Sequence, residues 1–140
     1  MTSEVIVAEA WLYQTLADAF TADSLQVYSG AGPQDAEYPF IVFAHLHSYD
    51  LAGVGVFRYL TQAEYVVRAA ARDESWTTVL AYANTIDAAL HGKKGIDVPV
   101  GLATGRVLSC IRTEPFMQRE TADGQVYVSL GGVYQLNMQG

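Results

Sequence analysis

The sequence predicts an α+β fold: a mixed, largely antiparallel sheet of about five strands, with two helices packed on one face. Three observations carry that prediction. Two stretches, one near the N-terminus and one from Trp76 to Leu90, place apolar residues at three- and four-residue steps, the helical period. The other ordered stretches are rich in aromatic and β-branched residues, and the last of them alternates with a period of two. Only one link between strands, Ala71 to Gly105, passes through a helix; the others read as hairpins or loop-joined neighbours.

The first helix is expected from a cap at Ser3 to about Phe20. Val5, Ala8, Leu12, Leu16 and Ala19 form its apolar stripe, widened by Trp11 and Phe20. Leu25 to Tyr28 is a short strand ended by Ser29-Gly30-Ala31-Gly32-Pro33. That glycine-rich stretch lacks the lysine and following helix of a phosphate-binding loop, so it reads as a turn. Tyr38-Pro39 leads into a strand from Phe40 to about His47.

Ser48 to Phe57 reads as a loop with exposed apolar residues, either packed down or covered by another molecule. A long strand follows from Arg58 to about Ala71. Tyr59, Thr61, Ala63, Tyr65, Val67, Ala69 and Ala71 share one face, with Gln62, Glu64 and Arg68 on the other. The second helix starts after Asp73-Glu74-Ser75, carries Trp76, Val79, Leu80, Ala83, Ile86, Asp87 and Leu90 on one side, and stops at Gly92. His91 to Thr104 reads as a loop. A strand from Gly105 to about Thr113 comes next, and Asp123-Gly124 signals a turn.

The final strand, Gln125 to Gln139, alternates strictly. Val126, Val128, Leu130, Gly132, Tyr134, Leu136 and Met138 form the face expected under the helices. Gly131-Gly132 keeps the phase, because a one-residue slip would exchange the faces. The pair is expected to be a bend or a close backbone approach.

Composition bounds the function. The 140 residues fit one domain spanning 1–140. Apolar residues make up 51%, and charged residues only 16%, against about 25% in typical domains. A surface short of charge suggests coverage by another chain. Eight Lys+Arg against fifteen Asp+Glu give a net charge of −7, which disfavours general nucleic-acid binding. The single cysteine, Cys110, excludes an internal disulfide and fits a reducing compartment. No secretory signal and no membrane span are expected.

Chemistry-bearing residues are few. His45 and His47 lie two apart in a strand and are expected on one face, with Asp50 near and His91 distant in sequence. A metal site needs at least three ligands in the right geometry, so the expectation is two partly exposed histidines and no metal. Cys110 reads as a small buried apolar residue. Asp87 is a lone carboxylate, suited to a hydrogen bond or ion pair near the helix end. Most of the nine tyrosines are assigned to sheet packing. No enzyme activity and no cofactor are expected.

Taken together, AEAWLYQTLADAF, VYSGAGPQDAEYPFIVF, DLAGVGVFRY, YVVRAAA, IDAALHG, GRVLSCIRTEPF and DGQVYVSLGGVYQLNM follow one another in a familiar order. The pattern is most evident at Val27-Tyr28, Tyr38-Pro39-Phe40, Ile86-Asp87 and Gly131-Gly132-Val133-Tyr134. It resembles, over nearly the whole chain, the tail terminator proteins of long-tailed bacteriophages, also called tail completion or head–tail joining proteins. The resemblance implies a structural virion protein that forms a ring, usually of six copies. Such a ring caps the tail tube, stops its polymerisation and joins the tail to the head connector. Its implied partners are further copies of itself, the tail tube protein and the head connector or completion protein, with DNA only passing through the hole and no membrane. The implied location is the head-proximal end of the tail in the virion, assembled in the bacterial host cytoplasm.

A ring needs a heterologous interface, in which one patch meets a different patch. Leu51, Val54, Val56, Phe57 and Arg58 are the candidate residues for one side of it. Two other readings remain open: another head–tail connector or minor capsid adaptor, and a small-molecule-binding α+β domain.

Overall fold

The structure, a computed structural model, describes residues 4–32, 36–52, 58–72, 76–100 and 103–139. Its elements are α1 (Glu4–Ala19), β1 (Val27–Ser29), β2 (Phe40–Ala52), β3 (Arg58–Arg72), α2 (Trp76–Leu90), β4 (Lys93–Val100), β5 (Ala103–Ala122) and β6 (Gln125–Gln139). Six strands form one sheet in the order β1-β2-β3-β6-β5-β4. Only β1 and β2 are parallel; every other neighbouring pair is antiparallel. The fold is α+β, as the sequence predicts, with one strand more than expected. The addition is β4, which lies within the stretch read as the loop His91–Thr104.

The core lies between the two helices and one face of the sheet. Val7, Ala8, Leu12, Leu16 and Phe20 of the first helical stretch are fully buried, with Trp11 at 6% exposure. From α2 come Val79, Ile86 and Leu90. They meet Ile41 and Phe43 of β2, Ala63, Tyr65, Val67, Ala69 and Ala71 of β3, Val107 and Cys110 of β5, and Val128, Tyr134, Leu136 and Met138 of β6. β3 presents alanine at 63, 69 and 71 on this face, and small side chains there leave space for the large ones opposite. Among the helices of the described residues, none is long and apolar enough to cross a membrane.

β6 is the central strand. It pairs with β3 from Thr61↔Met138 to Arg72↔Tyr127 without a register shift. Its pairing with β5 runs from Arg106↔Gln139 to Ala122↔Gln125 and shifts twice, at Leu108 and at Thr113. Such bulges bend a strand and tighten its twist. The Thr113 hydroxyl bonds the Val133 carbonyl at 3.2 Å, so the bulge is anchored. The β5–β6 turn is Asp123-Gly124, with φ of 51° and 76°, the pair of positive values that a tight two-residue hairpin needs.

The bend expected at Gly131-Gly132 resolves into two different glycines. A Cβ on Gly131 would run into the Val67 carbonyl oxygen and lie 2.7 Å from the Arg68 Cα, so β3 and β6 approach too closely there for any side chain. A Cβ on Gly132 would meet only the side chain of Arg112, at 3.0–3.2 Å. The face opposite the helices is also partly closed. Val133 and Ser129 are 6% and 7% exposed, and Phe40, Val42 and Ala70 form a second small cluster. The side chains left over by the even-numbered face of β6 therefore find partners within the chain. Tyr127 packs against Tyr38 with ring centroids 5.5 Å apart, and Asn137 donates to the Ser109 hydroxyl at 2.9 Å.

Two stability predictions follow from this packing. Gly131→Ala lowers the urea midpoint by an amount equivalent to about 1–3 kcal/mol, because backbone cannot move aside; Gly132→Ala costs less than about 1 kcal/mol, because an arginine stem can. Equal losses would show that the two glycines serve the same bend. The Tyr65 hydroxyl is buried without a hydrogen-bond partner among the described residues. Tyr65→Phe should therefore leave the melting temperature unchanged or raise it, since removing an unsatisfied buried hydroxyl removes a desolvation cost.

Candidate functional site

Three places in the structure gather polar or exposed apolar side chains. The first joins the last turn of α2 to the sheet. Asp87 accepts a hydrogen bond from the Tyr134 hydroxyl at 3.0 Å, and the Arg112 guanidinium lies 4.0 Å from the same carboxylate oxygen. One turn on, the His91 Nδ1 accepts the backbone N–H of Arg112 at 3.0 Å, which places the proton of the neutral ring on Nε2. These groups border an open cleft of about 310 Å³ whose far wall is Thr113, Glu114 and Pro115. Burial, then the Asp87 charge and hydrogen bond, raise the pKa of the Tyr134 phenol. Cys110 lies beneath, fully buried, its thiol pushed up to about 12 first by burial and then by the Asp87 charge. A thiol held protonated in this way is a packing residue at neutral pH. The lone carboxylate read at Asp87 does make the hydrogen bond and ion pair expected of it, and the cluster fastens α2 to β5 and β6.

The second place lies on the face opposite the helices. Arg68 of β3 is half-buried; its Nη1 donates to the Ser129 hydroxyl at 2.8 Å, and its guanidinium stands 5.9 Å from the centre of the Phe116 ring. Burial lowers its pKa, opposed by the charges of Glu120 and Tyr38, and an arginine keeps its proton regardless. Around it opens a cleft of about 520 Å³ bordered by Tyr38, Phe40, Gln118, Glu120 and Tyr127. At the margin, the Arg72 guanidinium stands 5.6 Å from the centre of the Tyr38 ring. The alternation of β3 puts Arg68 on the outer face with Gln62 and Glu64 and by itself marks no role for it. Its cross-strand partner is Gly131, and that pairing is the signal: a glycine opposite an arginine clears a path for the long side chain.

The third place is a set of exposed apolar side chains. Leu46 and Tyr49 of β2 are 49% and 47% exposed. Ile111 and Met117 of β5 are 47% and 68% exposed, and Leu80 of α2 is 49% exposed. Leu80 and Met117 border a shallow apolar depression with Trp76 and Leu130. Leu80 is expected on the packed side of α2 and is instead half exposed, at the margin of that depression.

Of the candidate interface residues, Val54, Val56 and Phe57 lie outside the described residues. Leu51 is in β2, opposite Leu60, and Arg58 opens β3 opposite Ala52; the side chains of both lie outside the described part of the structure. What the structure does change is the length of the neighbouring strands, since Ser48 to Ala52 belong to β2 and not to a loop.

The histidine pair is also changed. The register of β2 against β3 shifts between His45 and His47, so Leu46 is an extra residue and the two histidines do not share a face. His45 packs edge-on against Tyr65, at 5.3 Å, a residue of the helix-side face. His47 lies 3.7 Å from Glu64, on the opposite face, and stacks on Tyr49. Among the described residues no group of three or more His, Cys, Asp or Glu is arranged to hold a metal ion.

No family model matches this chain, and no curated protein matches it. Among solved structures, the chain is similar to a chain from the virion of a native gene transfer agent particle. The two superpose with a TM-score of 0.65 at 18% sequence identity, over 96% of this chain and 98% of that one. At that identity the likeness shows a shared fold, and it extends from one end of each chain to the other.

Cys110 supplies a pH test of the packing beneath Asp87. A thiol whose folded pKa is raised from 9.0 to about 12 contributes stability that is complete below pH 9 and drains away as pH rises toward 12. Between pH 9 and 10 the thiol should add up to about 1.4 kcal/mol per pH unit to the fall in stability, beside the smaller early contribution of Tyr65 and Tyr134, whose phenols are also raised. Cys110→Ala should make the fall over that interval shallower, whatever it does to stability at pH 7. An unchanged slope in the variant would show that another group drives the alkaline loss.

Proposed function

We propose that this chain is a structural, non-catalytic protein of a phage-type virion, and that it acts as a tail terminator. In this reading several copies, six by resemblance, close into a ring on the end of the tail tube. The ring stops tube growth and offers its other side to the head connector. The observation that supports the virion reading is the end-to-end likeness of the fold to a chain of a gene transfer agent virion. The tail-end position rests on the sequence resemblance, carried at Val27-Tyr28, Tyr38-Pro39-Phe40, Ile86-Asp87 and Gly131-Gly132-Val133-Tyr134.

The described surface suits such a role. Exposed large apolar residues stand on β2 and β5 (Leu46, Tyr49, Ile111, Met117) and on the helices (Ile6, Tyr13, Leu80), and not in an enclosed pocket of the kind that small ligands fill. The net charge of −7 would also disfavour adhesion of DNA passing along the ring. A connector or minor capsid adaptor would share this fold and this surface, so the test must locate the protein on the particle.

Purified protein mixed with tail tubes should produce annular caps at tube ends in negative-stain electron micrographs. Tubes assembled in its presence should be uniform in length. Protein that binds only the portal vertex of heads would move the assignment to a connector. Binding to neither structure would overturn the virion reading.

A further inference from the structure

Among the described residues, besides the outer edges of the terminal strands β1 and β4, β2 and β5 each have a bare stretch, at diagonally opposite corners of the sheet. β1 covers β2 only at Ile41, Val42 and Phe43, and the last bond along that edge runs from the Gly30 N–H to the Phe43 carbonyl. From Ala44 onward, among the described residues, no strand pairs with this edge of β2. On the far side, β4 covers β5 from Ala103 to Cys110, and the His91 ring takes the N–H of Arg112. From Thr113 to Ala122 that edge of β5 is likewise bare among the described residues.

Both bare segments are exposed on both faces. Residues 45–50 of β2 are all exposed, and so are residues 113–122 of β5 except Phe116. Within the sheet each segment is paired on one side, to its hairpin partner β3 or β6. A bare strand edge is a row of unpaired N–H and C=O groups that pairs with any strand presented to it unless it is defended by charge or proline. The defence is lighter on β2 than on β5. Residues 44–50 carry Asp50 as their one formal charge, and residues 113–122 carry Glu114 and Glu120 against Arg119, so each segment holds −1 in a chain of −7. The one proline among them is Pro115. Large apolar side chains stand on both segments, Leu46 and Tyr49 on one and Met117 on the other.

We infer that the two edges are the two halves of one contact: residues 44–50 of one copy pair with residues 113–122 of the next, joining their sheets. A foreign strand would satisfy one edge and leave the other bare, whereas a second copy satisfies both and repeats. The contact is heterologous, which is the kind that closes into a ring when the rotation allows. The placement is sterically consistent. β2 and β5 run in opposite directions across the sheet, so the bare part of each lies at the opposite end from the other. β1 and β4 fill the two remaining corners and act as shoulders beside the incoming strand. Copies that keep a common strand direction would pair these segments antiparallel, with a stagger along the strands. The inference specifies the surface of the proposed ring and rests on that reading for its number of copies.

Cross-linking reads the contact directly, because the native Cys110 is fully buried and silent. Leu46→Cys and Met117→Cys are made separately and together in the full chain. A short bis-maleimide should link neither single variant alone and should link their mixture into dimers. The double variant should give a ladder that ends at the ring size. Arg119→Cys, exposed on the same face of β5, replaces Met117→Cys if the latter fails to fold.

Hydrogen exchange supplies the backbone readout. Amides in 44–50 and 113–122 should slow at least about tenfold on assembly while the sheet centre is unchanged. Rings visible by microscopy with neither cross-link nor protection would overturn this contact and leave the ring reading standing. Monomers that assemble neither alone nor on tail tubes would overturn both. Protection that needs added tail tube protein, without cross-linking in the mixed variants, would assign the edges to that partner and overturn the second copy as occupant.

Discussion

Two adjacent glycines in the central strand set the terms for the rest of the molecule. Gly131 and Gly132 sit on opposite faces of β6, and each lies under an arginine from a flanking strand. On the outer face, Arg68 leaves its partner Gly131 and reaches Ser129. On the helix face, the Arg112 stem lies over Gly132 on the way to Asp87. A side chain at either glycine would displace one of these arginines. At 131 it would also force apart the backbones of β3 and β6, whose twelve paired positions hold the two halves of the sheet together. A strand that is hydrogen-bonded along both edges has no freedom to move aside, so the glycine is fixed by geometry.

From that crossing the two faces diverge. Under the helices the sheet is conventionally apolar; of its polar exceptions, Tyr134 is anchored to Asp87 and Thr61 to Asp50 at 2.7 Å, while the Tyr65 hydroxyl has no partner among the described residues. On the other face lies a shallower layer of Phe40, Val42, Ala70, Val133 and the Arg68–Ser129 pair, with Tyr28, Ala36 and Tyr38 packed at its Phe40 end. The bulges at Leu108 and Thr113 strengthen the local twist of β5 beside it. Arginine suits such a layer because its planar, weakly hydrated head can stand over Phe116 and still donate to a hydroxyl.

What the sequence disclosed, and what it hid, follows from where burial creates a pattern. The helix Trp76–Leu90, the Asp123-Gly124 turn and the alternation of β6 were legible because each is imposed by one buried face or by backbone conformation. β4 was not: Lys93-Lys94, Gly95 and Pro99 belong to an edge strand, and its alternation is broken. The outer parts of β2 and β5 were read as loop or left out for a related reason. Neither of their faces is buried within one chain, so no period of two is selected there. The bulge at Leu46 inverted the expected facing of His45 and His47, and nothing in residue type announces a bulge. The candidate interface at Leu51, Val54, Val56, Phe57 and Arg58 was chosen for exposed apolar character, a property that Leu46, Tyr49 and Met117 share in the described part of the chain.

The low charge content can now be located. Lysine guards exposed strand edges, and both lysines of this chain lie together at the start of β4, itself an edge strand, while residues 44–50 and 113–122 have none. Pro115, Glu114, Arg119 and Glu120 give β5 some protection, while residues 44–50 of β2 have only Asp50. Charge is therefore scarcer on the bare part of β2 than on that of β5. Full protection would prevent any strand from docking, and no protection would let copies aggregate without order. A pair of edges defended unequally, one by proline and mixed charge and the other scarcely at all, discourages β2 from meeting β2 less than it discourages β5 from meeting β5. Order must then come from shape, and the shoulders formed by β1 and β4 supply it by admitting a strand at one end of each edge and not at the other.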